Sequence, residues 1–171
     1  MTTASLRIIP AREEHVSIIL DLIKALADYE KLSHQVVATE DDVRRWLFGT
    51  RPAAETILAY VGDEAVGFAL FFQNFSTFLG RPGLYLEDLF VRPEWRRHGI
   101  GKRLLERLAA IAVERGYGRV EWAVLDWNTP SIDFYRSLGA VPLDDWTVFR
   151  LTGDALTRVA DPSSPASVDG R

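Results

Sequence analysis

A single α/β domain, with a mixed, mainly antiparallel sheet and helices on both faces, is the fold that the sequence predicts. Three observations predict it. The chain has 171 residues, the size of one compact domain with a full core. Its apolar residues alternate between strand-like runs and helical spacing in the order β-α-α-β-β-β-α-β-α-β. Short turn sequences join the consecutive strands in the middle of the chain, as hairpins require. No internal repeat is present, and 47% hydrophobic with 26% charged residues excludes a disordered, collagen-like or low-complexity chain.

The elements follow in order. Ser5 to Ile9 reads as a short strand ended by Pro10. From about Arg12 to Glu30, apolar residues at Val16, Ile19, Leu20, Ile23 and Leu26 keep the helical period. Thr39 with Asp42 three residues later resembles a capping box, and the helix it starts stops at Gly49. Glu55 to Val61 and Ala65 to Phe75 form a hairpin around Gly62-Asp63-Glu64. A turn is expected at Gly80-Arg81-Pro82-Gly83, then a strand from Leu84 to Val91. A second amphipathic helix spans about Gly99 to Arg115, with Leu104, Leu105, Leu108, Ile111 and Ala112 inward and Gly116 as its stop. Arg119 to Leu125 reads as a strand, Pro130 opens a short helix closed by Gly139, and Trp146 to Leu151 reads as a last strand. The domain is expected over residues 1–160, with a flexible tail over 161–171.

Composition narrows the function classes. The longest apolar run, Ala65 to Phe72, is far shorter than the ~18 residues of a membrane span. Charges at Arg7, Arg12, Glu13 and Glu14 leave no apolar stretch for a signal peptide. Without cysteine there is no disulfide framework, zinc knuckle or thiol nucleophile, and His15, His34 and His98 have no ligand spacing, so no metal is expected. A net charge of −4 argues against general nucleic-acid affinity. The expectation is a cytoplasmic protein with neither membrane nor nucleic acid as partner.

Charge is unevenly spread. Arg92, Arg96, Arg97, Lys102, Arg103 and Arg107 face only Glu94 and Glu106 within one short stretch of an otherwise acidic chain. Such a patch suits a polyanionic ligand, or else a solvated helix face laced with ion pairs. Within it, Arg96-Arg97-His98-Gly99-Ile100-Gly101, followed by Lys102, joins a strand end to a helix start. Backbone N–H groups and the positive end of the helix dipole gather there, glycines permit close approach, and arginines add charge-assisted bonds. A dinucleotide fingerprint would need glycine at Leu104, and a P-loop would need Ser or Thr at Arg103. What remains is R-x-x-G-x-G after a strand, which matches the motif of the GNAT acyltransferases.

The resemblance extends along about residues 6–152. ALADYEKL (25–32), VGFALFF (66–72), LYLEDLFV (84–91), RRHGIG (96–101) and WNTPSIDFYRSLGA (127–140) resemble the spermidine/spermine and thialysine acetyltransferase branch. That resemblance implies a GNAT fold, acetyl-CoA as donor, a small amine as acceptor, direct transfer within a ternary complex, and a homodimer. A protein lysine or N-terminal acetyltransferase and a non-catalytic acetyl-CoA-binding dimer are the alternatives.

Acetyl transfer to an amine needs a neutral nucleophile, a polarised thioester carbonyl and a proton for the departing thiolate. A lysine-like amine, with a reference pKa of about 10.4, arrives protonated at neutral pH and needs a base. Strict alternation in LYLEDLFV puts Tyr85, Glu87 and Leu89 on one face and Leu86, Asp88 and Phe90 on the other. By resemblance Glu87 is the acceptor-side carboxylate, acting as base directly or through water, or holding the substrate's cation. A structural ion pair is the other reading, and the one that suits Asp88. The resemblance also implies a strand that splays from its neighbour, with Leu89 N–H donating to the acetyl oxygen and Phe90 and Val91 backbone groups holding the pantetheine arm. By resemblance Tyr135 is the general acid for the thiolate, a role that the similar reference pKa values of phenol (about 10) and thiol (about 8.5) allow; a tyrosine packed on a helix face is the other reading. Asn128 and Ser131 contact the coenzyme arm or cap their helix. Tyr29, Glu30, Glu87, Trp122, Asp126, Asp144 and Asp145 are candidates for a pocket that takes a cationic chain, and by resemblance Tyr29-Glu30, Glu121-Trp122-Ala123 and the pair Asp144-Asp145 fall where the family binds its amine.

Overall fold

A computed structural model describes residues 5–161. The described chain divides into two compact units between Ala123 and Val124. The first contains β1 (Leu6–Pro10), α1 (Val16–Tyr29), α2 (Glu40–Phe48), β2 (Glu55–Val61), β3 (Glu64–Ser76), β4 (Arg81–Val91), α3 (Ile100–Glu114) and β5 (Val120–Trp122). The strands lie in the order β1-β2-β3-β4-β5, antiparallel except for the parallel pair β4–β5.

Hydrophobic periodicity decides which face each helix covers. Val16, Ile19, Leu20, Leu22 and Leu26 of α1 pack with Val43 of α2 on Leu58, Tyr60, Phe68 and Phe90 of the sheet. Ile57 and Phe71, which point the other way, lie beside Arg107 and Ile111 of α3. Each fully buried Leu or Phe contributes about 1.5–3 kcal/mol, so the two helix layers hold the sheet between them. Thr39 caps α2 as expected: Asp42 N–H donates to Thr39 Oγ1 at 3.2 Å, and Thr39 N–H donates to Asp42 Oδ2 at 2.9 Å. At the far end of α3, Arg115 grips both carboxylate oxygens of Glu55, at 2.5 and 2.7 Å, and so ties that helix to β2.

The β2–β3 hairpin turns through Gly62-Asp63, with Gly62 at φ 61. The next turn differs from expectation. Arg81, Pro82 and Gly83 pair with Ser76, Phe75 and Asn74, so β4 begins three residues early and the turn is Thr77–Gly80. Proline fits inside this strand because the backbone of Pro82 faces the side away from β3, where its carbonyl accepts from Gly118 N–H at 2.8 Å and regular pairing with β5 begins only at Leu84.

A larger correction concerns Glu87. Phe71 pairs with Leu86 and Leu70 with Asp88, so Glu87 is the extra residue of a β-bulge. One inserted residue breaks the two-residue alternation. Tyr85, Asp88 and Phe90 therefore share the α1 face with Phe72, Leu70 and Phe68, while Leu86 and Leu89 share the opposite one.

The second unit holds α4 (Thr129–Ser137) and α5 (Gly153–Ala160). Helix α4 ends where Gly139 takes φ 86 and Ala140 N–H donates to Tyr135 O at 3.2 Å. The expected strand from Trp146 to Leu151 is absent among the described residues. Its pattern suits a strand, but no neighbouring strand supplies hydrogen bonds, and Val148 and Phe149 are 84% and 91% exposed. Helix α5, which the sequence reading did not anticipate, follows instead. The expected tail lies, apart from Asp161, outside the described residues.

Candidate active site

The R-x-x-G-x-G segment forms the entry to α3. Gly99 is the N-cap at φ 75, and among the described residues no side chain caps the helix. The first intrahelical bond runs from Arg103 N–H to Gly99 O at 3.0 Å, so the N–H groups of Ile100, Gly101 and Lys102 have no place in the helical ladder. A Cβ built at Gly99 would meet open space. These features fit an anion, with the helix dipole in support. Arg97, at φ 63 and exposed, makes no ion pair among the described residues. Lys102 and Arg103 both approach Glu106, at 4.0 and 3.4 Å. His98 donates from Nδ1 to Arg96 O at 2.8 Å. Arg96 is turned inward: its Nε donates to Val91 O at 3.0 Å, and its guanidinium lies 4.1 Å from the Tyr29 ring centre.

The same unit supplies an open strand edge. Strand β5 pairs with Leu84, Tyr85 and Leu86 only, while β4 runs on to Val91. Arg92 N–H donates to Val66 O on β3 at 2.8 Å, so alternation turns the N–H groups of Phe90 and Asp88 toward β3 as well. Those of Leu89 and Val91 face the edge that β5 has left. Phe90, expected alongside them as a coenzyme contact, has its backbone spent on β3 and its ring in the α1 core. Among the described residues of β4 beyond Leu86, the N–H groups of Leu89 and Val91 are the ones turned away from β3.

Beside this edge the charge is negative. Burial pushes the Glu30 carboxyl upward. Burial first, then the neighbouring charges of Glu87 and Glu30, raises Asp88 to about 6. Tyr85 is raised by burial and by the charges of Glu87 and Glu121. Asp88 forms no ion pair among the described residues, so the structural ion pair expected for it is not there. Strict alternation sets Asp88 on the face opposite Tyr85, and the bulge brings it to the same face. Glu121 is already engaged, by Arg119 Nε at 2.8 Å and Asn74 Nδ2 at 3.1 Å. Trp122 is half-buried in β5, and Ala123 is exposed just beyond it.

In the second unit, Asn128, Ser131 and Tyr135 lie at i, i+3 and i+7, on one side of α4. Asn128 is buried and does not cap the helix with its side chain; its carbonyl accepts from Ser131 and Ile132 N–H, both at 3.1 Å. The Tyr135 ring is half-buried, 5.5 Å from that of Phe134. Asp126, Asp144 and Asp145 are exposed, outside helices and strands.

Comparison with known proteins shows which sequences and folds the chain resembles. Residues 21–140 match the family described as "Acetyltransferase (GNAT) family". Over 161 residues the chain is 38% identical to a thialysine N-epsilon-acetyltransferase of Bos taurus, covering 88% of this chain and 94% of that one. An L-ornithine N5-acetyltransferase of Arabidopsis thaliana is 35% identical, covering 90% and 87%. Among solved structures, an integron cassette protein from V. cholerae superposes with a TM-score of 0.78 at 26% identity, covering 92% of this chain and 98% of that one.

Proposed function

The chain belongs to the acetyltransferase (GNAT) family and is an N-acetyltransferase; on that footing we propose that it transfers acetyl from acetyl-CoA directly to the primary amine of a small cationic acceptor, of the diamine, polyamine or lysine-like class. The observation that carries the acceptor class is the carboxylate group of Glu30, Glu87 and Asp88, in which Asp88 forms no ion pair among the described residues. A substrate ammonium would supply the missing charge. Names of the relatives point the same way: two of them refer to the Nε of thialysine and the N5 of L-ornithine.

Acetyl-CoA would supply an activated thioester. The N–H groups of Gly99, Ile100, Gly101 and Lys102, with the Arg97 side chain and His98 beside them, would hold its phosphates at the start of α3. Val91 N–H, Asn128 and Ser131 would hold the arm. Leu89 N–H would donate to the acetyl oxygen and stabilise the negative charge that develops there. Glu87, re-aimed by the bulge and exposed, would remove the proton from the acceptor's ammonium, directly or through water. Tyr29, Glu30, Trp122, Ala123 and Asp145 belong to the acceptor side, with Glu121 in a supporting position. Tyr135 would return a proton to the leaving thiolate. The reading includes a homodimer in the cytoplasm. Among the described residues no helix is long and apolar enough to cross a membrane.

A panel of diamines, polyamines, thialysine, lysine and a lysine-containing peptide tests the acceptor class. We expect kcat/KM for the best free amine to exceed that for the peptide by at least about tenfold, since a carboxylate that pairs with a second charge on a small amine discriminates by more than 1 kcal/mol. Preference for the peptide would move the assignment to a protein acetyltransferase.

A further inference from the structure

The first arginine of the R-x-x-G-x-G segment does not point toward its helix N-terminus. Arg96 is half-buried, whereas Arg97 is exposed. Its Nε donates to Val91 O, the last carbonyl of β4, at 3.0 Å. Its guanidinium carbon is 4.1 Å from the centre of the Tyr29 ring and 5.7 Å from that of Phe90. Both distances lie within the range of cation–π attraction, and 4.1 Å is a close stacked contact. One planar group thus touches the end of the strand that carries Glu87 and Leu89, and the end of the helix that carries Tyr29 and Glu30. The phosphate-binding turn begins at the next residue.

The helix end that Arg96 touches is held in an unusual conformation. Lys31 sits at φ 62, a region that residues with a Cβ rarely adopt, and Leu32 N–H closes the helix on Ala27 O at 2.7 Å. Glycine would hold this turn without strain, so packing around Tyr29 and Glu30 must help to keep α1 terminated there. An arginine face over the Tyr29 ring is one such contact.

We propose that Arg96 is a positioning residue for the acceptor, linking the phosphate-binding turn to Tyr29 through a guanidinium–ring clamp, and is not itself a phosphate ligand. Phosphate contact is left to the backbone N–H groups at the start of α3 and to Arg97. The clamp needs a flat, delocalised cation with an N–H in its plane, which lysine lacks. The proposal rests on the acetyltransferase reading, and it concerns which substrate Arg96 serves.

A mutant cycle on the full chain tests it, with thialysine as the amine. Amine affinity is read both as KM and, by calorimetry in the presence of CoA, as Kd; acetyl-CoA Kd is measured separately. Arg96→Gln is expected to weaken amine affinity about tenfold and to change acetyl-CoA Kd by less than about threefold. In a Tyr29→Leu background the same change is expected to cost less than about twofold, because the ring is gone; in a Tyr29→Phe background the full factor returns, because the ring is kept. A large loss of acetyl-CoA affinity with amine affinity intact would make Arg96 a phosphate ligand and overturn the proposal. An equal cost in all three backgrounds, or a lowered Tm with neither affinity changed, would overturn it too. Failure of the acetyltransferase reading would show separately, as wild-type protein that binds both ligands without turnover.

Discussion

Tyr135→Phe is expected to lower kcat by about 10²–10⁴-fold, the usual range for loss of a general acid, while acetyl-CoA binds as before. The departing thiolate must acquire a proton. A phenol has a reference pKa near 10 and a thiol near 8.5, so transfer between them meets no large mismatch. Phenylalanine keeps the ring and its contact with Phe134, 5.5 Å away, and removes only the hydroxyl. Fold and coenzyme affinity should therefore be preserved, and the loss should fall on kcat. Steady-state kinetics beside calorimetric acetyl-CoA binding checks this. A kcat within about twofold of wild type would remove Tyr135 from the proton transfer.

A second large effect is expected from Asp88, and it concerns stability. Its folded-state carboxyl is raised to about 6 by burial and by the charges of Glu87 and Glu30, against an ordinary value of 3.8. Between those two values the folded chain holds a proton that the unfolded chain has released. Stability therefore falls as pH rises from about 4 to about 6, by roughly 2–3 kcal/mol, and stays reduced above that. Asp88→Asn keeps the shape and cannot ionise. It is expected to be more stable than wild type at pH 7 by about 1–3 kcal/mol, and to lack the decline between pH 4 and 6 that this group causes. Urea unfolding of both proteins across that range measures it. A variant that is less stable at pH 7 would mean that Asp88 has a stabilising partner. A carboxylate kept at such a cost fits a role toward a cationic substrate.

Much of this architecture was legible in the sequence because local patterns carried it. The helical period of Val16, Ile19, Leu20, Ile23 and Leu26, and that of Leu104 to Ala112, marked the two helices that cover the sheet. The Thr39–Asp42 capping box and the Gly62 turn were equally local. What escaped were features that depend on neighbours. Alternation along LYLEDLFV assumes no inserted residue, so the bulge at Glu87 and the resulting partnership of Asp88 with Tyr85 and Phe90 were invisible. Pro82 and Gly83 resemble a turn unless the pairing of β3 extends past them. Trp146 to Leu151 has the composition of a strand, but composition cannot provide a partner strand. The R-x-x-G-x-G spacing located the helix start and its uncapped N–H groups, but not the direction of the first guanidinium, which depends on the distant Tyr29 ring. The free edge at Leu89 and Val91 depends on how soon β5 ends, which is also a matter of pairing.

The most direct test of the central claim is to incubate the protein with acetyl-CoA and thialysine, and to measure free thiol and acetylated amine together over time. Direct transfer predicts equal amounts of the two products, formed only when both substrates are present, with no acetyl group left on the protein. Thiol release that proceeds without the amine, or tight acetyl-CoA binding with no product from any amine, would contradict the account.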